Sequence, residues 1–78
     1  MSAALQNLST EWVDVRAGRP RVVKGHLPHA RLNRLREIFS SQPCPALTSF
    51  WITRDRRIHF KPNFPAELRQ PVREIMIP

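Results

Sequence analysis

Leu8-Ser9-Thr10-Glu11-Trp12-Val13 and Leu47-Thr48-Ser49-Phe50-Trp51-Ile52 are the two stretches whose reading decides the fold. Laid side by side, they agree by identity or chemical type at five of six positions, and each carries a tryptophan followed by a β-branched residue. The agreement continues in order. Val23-Lys24 matches Phe60-Lys61, and Leu27-Pro28 matches Phe64-Pro65. Leu35-Arg36-Glu37-Ile38-Phe39 matches Val72-Arg73-Glu74-Ile75-Met76. An ordered series of this kind is the signature of an internal repeat. Pro28 and Pro65 lie 37 residues apart and the tryptophans 39, so the first copy holds two more residues, expected near Ala17-Gly18 as a longer turn.

The second copy reads as a β-hairpin. Phe50 to Thr53 and Arg57 to Phe60 flank the polar turn Arg54-Asp55-Arg56. Pairing Ile52 with Ile58 and Phe50 with Phe60 puts four apolar side chains on one face, because cross-strand partners share a side. Trp51, Thr53, Arg57 and His59 then occupy the other face. The first copy offers Trp12 to Val15, a turn around Arg16-Ala17-Gly18-Arg19, and a strand from Arg21 to Lys24. Its register stays open, since Val22 and Val23 are both apolar, and Pro20 suits a strand's beginning but not its middle.

Each hairpin runs into a helix. Pro28 and Pro65 suit a first helical position, where no amide donor is required. Leu32, Leu35, Ile38 and Phe39 form one apolar stripe at helical spacing, and Leu68, Val72, Ile75 and Met76 form another. Pro71 predicts a kink or a break in the second helix. Residues 1–7 are compatible with either a frayed start or a short helix. The reading is an α+β domain of two ββα repeats, 8–39 and 47–76, joined by a proline-rich linker over 40–46. Neither hairpin buries its apolar face alone, so the expectation is one four-stranded antiparallel sheet with both helices packed on one face, its strand order unread, or two such units about a pseudo-twofold. An intertwined homodimer remains open beside these.

With 78 residues the chain forms one domain with a modest core. Cys44 is the only cysteine, which excludes an internal disulfide and a thiolate metal cluster and fits a reducing compartment. No apolar run reaches the ~20 residues of a membrane span. Met1 to Thr10 lacks the basic start and apolar stretch of a secretory signal. The expected setting is therefore the cytoplasm, with no membrane partner.

Charge is the strongest compositional signal. Thirteen Lys and Arg against six Asp and Glu give a net +7 and a pI near 11.6. Only Lys24 and Lys61 are lysines, which leaves eleven arginines. Guanidinium forks match phosphate or carboxylate two bonds at a time. Such a balance draws either nucleic acid or an acidic protein surface.

Catalytic patterns are weak. His26 and His29, three apart, would share a helical turn, but the repeat replaces them with Asn63 and Ala66, and no third ligand is near; no metal or other cofactor is expected. Glu37 and Glu74 each follow an arginine in the repeated helical triplet, which fits a salt-bridged or solvated position better than general acid–base work. A small basic ribonuclease would use Arg, His and Glu, yet nothing in the sequence aligns His59 with an acid. The expectation is a non-enzymatic protein.

Two candidate surfaces follow. One is a sheet face bearing Trp12 and Trp51, which in the second copy also carries Arg57 and His59, where aromatic rings would stack on unpaired bases, with Lys24 and Lys61 as further candidate contacts. The other is the set of helix arginines, Arg31, Arg34, Arg36, Arg69 and Arg73, which lie mainly off the apolar stripes and would follow a phosphate backbone. Together they describe a small basic nucleic-acid-binding protein. The alternative is an inhibitor or adaptor of the phage or mobile-element type, docking on an acidic surface of a larger complex; a homodimer joined through the sheet face is the third reading. Because the copies differ at His26, His29, Arg31 and Arg34, a specific site is expected nearer the first helix.

Overall fold

The computed structural model describes residues 8–78; the reading of residues 1–7 lies outside them. Two hairpin–helix segments follow one another: β1 (Ser9–Arg16), β2 (Arg19–Lys24), α1 (His29–Ser40), then β3 (Thr48–Thr53), β4 (Ile58–Phe60) and α2 (Ala66–Met76). The strands form one sheet in the order β2-β1-β3-β4, with every neighbouring pair antiparallel. The first strand of each hairpin lies at the centre, and there Trp12 stands opposite Trp51.

The second hairpin has the register its apolar residues dictate: Phe50 faces Phe60, Trp51 faces His59 and Ile52 faces Ile58. Its turn closes through the Thr53 amide on the Arg57 carbonyl at 3.0 Å, with Arg56 at φ 64°. The first hairpin departs from expectation. Its turn is not longer but tight, two residues with Ala17 at φ 50° and Gly18 at φ 80°, and Arg16 pairs directly with Arg19. Two positive φ values are what a type I′ turn requires, and that turn matches the natural twist of the flanking strands. The additional residues lengthen the strands instead: β1 and β2 have 8 and 6 residues, β3 and β4 only 6 and 3. A register shift beside Trp12 resolves the Val22–Val23 ambiguity. Val22 packs toward the core, Val23 is 46% exposed, and Lys24 comes opposite Trp12.

Both helices cover the same sheet face. Val13, Val15, Phe50 and Ile52 from the central strands meet Leu35 and Phe39 of α1 and Leu68, Val72, Ile75 and Met76 of α2 in one core. Phe64 wedges into it, with its ring 5.9 Å from both Phe39 and Phe50 in edge-to-face geometry. Pro28 and Pro65 are caps rather than first helical residues, one position earlier than expected. The logic is unchanged, since a cap's carbonyl accepts the first helical amide, here Leu32 on Pro28 at 3.0 Å and Leu68 on Pro65 at 3.1 Å. Pro71 does not break α2, which runs on to Met76. The carbonyl its missing amide would have served belongs to Glu67, which is exposed and therefore open to solvent, and burial of Val72, Ile75 and Met76 holds the following turn in place. Among the described residues no helix is long and apolar enough to cross a membrane.

Candidate nucleic-acid interface

The sheet face turned away from the helices is laid out by strand pairing, because directly opposed residues share a side. One transverse row runs Lys24, Trp12, Trp51, His59 across all four strands. The next row runs Arg21, Asp14, Ser49, and then Lys61, whose amide donates to the Ser49 carbonyl at 3.0 Å. Arg16 and Arg19 close the first hairpin beyond that row, while Arg57 lies beside Thr53 at the opposite end. Four predicted residues, Lys24, Trp12, Trp51 and His59, thus fall in one line, with Arg57 and Lys61 flanking it.

The rings in that line are stacked on one another. Trp12 and Trp51 have centroids 4.5 Å apart and planes within 7°, and His59 continues the file at 5.8 Å and 15°. A separation this close to the strand spacing means that the rings stand upright on the sheet. Trp12 is wholly buried, and Trp51 has one face against Trp12 and the other against His59. Neither tryptophan therefore offers a free ring face for a base, which corrects the expected tryptophan platform. Their energy goes into the fold, as cross-strand aromatic contacts do.

Asp14 is the pivot of the second row. Its Oδ1 accepts from Trp12 Nε1 at 3.0 Å and from Ser49 Oγ at 2.7 Å. Arg21 stands directly across from Asp14, yet the two form no ion pair. A hollow opens on each side of this aspartate. One, of about 480 Å³, is lined by Arg16, Arg19, Pro20 and Arg21; the other, of about 420 Å³, by Leu47, Ser49, Lys61, Pro62 and Asn63. Among the described residues, the side chains of Arg16, Arg19 and Arg21 make no hydrogen bond or ion pair, and all three residues are exposed. Their guanidinium groups are uncommitted donors beside a concave surface. None of the three was among the expected site residues. The signal was present as Arg19-x-Arg21, alternate residues of one strand, but the supposed longer turn concealed that Arg16 opposes Arg19.

The remaining predicted residues lie elsewhere. Arg69 and Arg73 stand over the Phe60 ring, each 5.6 Å from its centroid, on the helix side of the molecule. Arg36 donates to Asn33 at 3.0 Å, and Arg34 borders a shallow groove with Glu37 and Glu74 between the helices. Arg31 is half-buried on α1. The helix arginines and the sheet cations thus form two surfaces, not one. His26 lies in the loop before α1 and His29 is its first residue, so the pair does not share a helical turn, and both are exposed.

His59 has one further connection. Its Nε2 lies 3.2 Å from Thr53 Oγ1, and that hydroxyl donates to Asp55, whose carboxylate also meets Arg57 Nε at 3.4 Å. The Thr53 hydrogen bond, with smaller help from Arg57, holds the Asp55 carboxyl below its ordinary range. When the hydroxyl gives its hydrogen to Asp55, the tautomer of His59 that carries its hydrogen on Nε2 completes the chain by donating to Thr53. This contact and the stacking on Trp51 hold the ring at the end of the aromatic file.

No family model, no curated protein and no solved structure matches the chain.

Proposed function

We propose that the protein is a non-enzymatic nucleic-acid-binding module of the cytoplasm that holds phosphates on the outer face of its sheet. The observation that carries this reading is the hollow beside β2, where three uncommitted arginines converge on one concave surface. Each presents a fork of donors matched to phosphate oxygens, and Lys24, Lys61 and Arg57 extend the positive charge across the remaining strands. The acids on this side leave these arginines unpaired. Asp14 is held by Trp12 and Ser49, and Asp55 by Thr53 and Arg57.

Phosphate neutralisation releases counterions, so affinity must fall steeply and log-linearly with salt. Fluorescence anisotropy of a labelled oligonucleotide, titrated with nuclease-treated protein at several salt concentrations, checks this. Binding that is unchanged from low to high salt, or absent at low salt, overturns the reading. Failure with nucleic acid together with a stoichiometric complex on an acidic protein would favour the adaptor reading instead.

A further inference from the structure

We infer that the two hollows flanking Asp14 divide the work: the arginine hollow takes phosphates, and the hollow between Asp14 and Lys61 seats one unpaired base, whose N–H edge is read by the second carboxylate oxygen of Asp14. The inference rests on the nucleic-acid reading above and names the part of the ligand that each half of the site takes.

The argument begins with what is already committed in the second hollow. Asn63 is a strut: its Oδ1 accepts from Thr48 Oγ1 at 2.7 Å and its Nδ2 donates to the Leu47 carbonyl at 2.9 Å. Ser49 gives its hydroxyl hydrogen to Asp14. Both side-chain bonds to Asp14 reach Oδ1, and among the described residues none reaches Oδ2. Two groups are therefore left to face a ligand, a fixed acceptor at Asp14 Oδ2 and a donor at the Lys61 ammonium. Leu47, 51% exposed, and Pro62 supply apolar wall.

Asp14 borders both hollows, but three arginines offset its charge on one side and a single lysine on the other, so the phosphate backbone is directed to the arginine side. An acceptor and a donor framed by apolar surface instead suit the polar edge of a base, where a carboxylate takes an amine such as cytosine N4. That edge is available when the base is unpaired. Asp14 is also well held for such a role. Two hydrogen bonds lock Oδ1, one of them from a tryptophan that is itself buried and stacked, so the orientation of Oδ2 is set before any ligand arrives.

Asp14→Asn separates this role from general electrostatics by sign. The amide oxygen can still accept from Trp12 and Ser49, while the second oxygen becomes a donor. Removing a negative charge from a polyanion-binding face should tighten binding to every strand. Losing the acceptor should weaken binding to a strand that uses it. The probes are a short deoxycytidine oligomer, its ribo counterpart, and an abasic strand of the same length and charge. The expected result is that the wild-type protein binds the cytidine oligomers about tenfold more tightly than the abasic strand. Asp14→Asn should remove that margin and bind the abasic strand at least as well as wild type does. Equal wild-type affinity for cytidine and abasic strands overturns the inference and leaves phosphate binding standing, as does unchanged or tighter binding of cytidine by Asp14→Asn. Absence of binding to all three strands overturns the nucleic-acid reading itself. The wild-type comparison decides even if the variant does not fold.

Discussion

Single residues decide how tightly the first hairpin closes. Ala17 holds φ 50° without being glycine, a conformation that costs an L-residue about 1–2 kcal/mol. Asparagine tolerates that region and, followed by glycine, is a preferred type I′ pair. Ala17→Asn should therefore stabilise the protein by about 0.5–1 kcal/mol, read as a raised urea midpoint at constant m-value. Gly18→Ala should do the reverse, by about 1–2 kcal/mol, since φ is 80° and a Cβ would come 3.2 Å from the Phe39 carbonyl oxygen. The second turn offers a titration instead. Asp55 lies below the ordinary carboxylate range chiefly because Thr53 donates to it, so Thr53→Val should raise its midpoint, as followed by the carboxyl-carbon NMR shift against pH. The sign for stability follows from linkage. A carboxylate whose pKa is depressed on folding contributes above its unfolded value, near 3.9, and that contribution is lost as pH falls through the lower folded value. Wild type should therefore lose its excess stability over Thr53→Val below about pH 4, and a difference that grows on acidification would contradict this assignment.

At the scale of elements, the central β1–β3 seam is what makes two marginal hairpins into a sheet, and Trp12 is its buried centre. The ring is inaccessible, is stacked on Trp51 and donates to Asp14. Trp12→Ala should cost about 3–5 kcal/mol in denaturant unfolding, a large share of the stability a domain of this size has. Trp51→Ala, which removes a half-buried ring, should cost clearly less; equal losses would mean that the two rings share the load evenly. The elements also show what the sequence made legible. The β3–β4 register was readable because Phe50, Ile52, Ile58 and Phe60 form a single apolar face in only one pairing. The β1–β2 register was not, because two adjacent valines are degenerate until a register shift assigns one to the core and one to solvent. Strand order was not legible either. The β1–β3 pairing joins residues about forty positions apart, and local periodicity carries no information about which strands meet. Pro20 shows how the β2 edge is protected. In a two-residue hairpin the Arg16–Arg19 pair exchanges the ladder hydrogen bonds, so the amide of the next residue would point out from the sheet edge, and with proline there an added strand finds no donor at that position.

On the scale of the whole molecule, the cations divide between two opposite surfaces, and the choice between them is experimental. The helix arginines stood out in the sequence because they fall between the apolar stripe positions, yet much of that set is already engaged: Arg69 and Arg73 lie over Phe60, and Arg36 bonds Asn33. The sheet arginines were overlooked because their convergence depends on the tight turn and on strand pairing, neither of which composition reveals. A specific site near the first helix, argued from differences between the copies, finds no support in a cluster there, since His26, His29 and Arg34 are dispersed and exposed. The two surfaces make opposite predictions for paired neutralisations. Each phosphate contact on a single strand contributes about 0.7 to the slope of log affinity against log salt. Arg19→Gln with Arg21→Gln should therefore flatten that slope by about 1.4 while weakening binding at low salt. Arg34→Gln with Arg36→Gln removes the same charge from the helix side and should leave the slope nearly unchanged, with only a small general loss. Arg19 and Arg21 are exposed and unpaired among the described residues, so their replacement should leave the fold, checked by circular dichroism, intact. If the helix pair flattens the slope and the sheet pair does not, the bound strand runs over the helices and the arginine hollow beside β2 is not its seat.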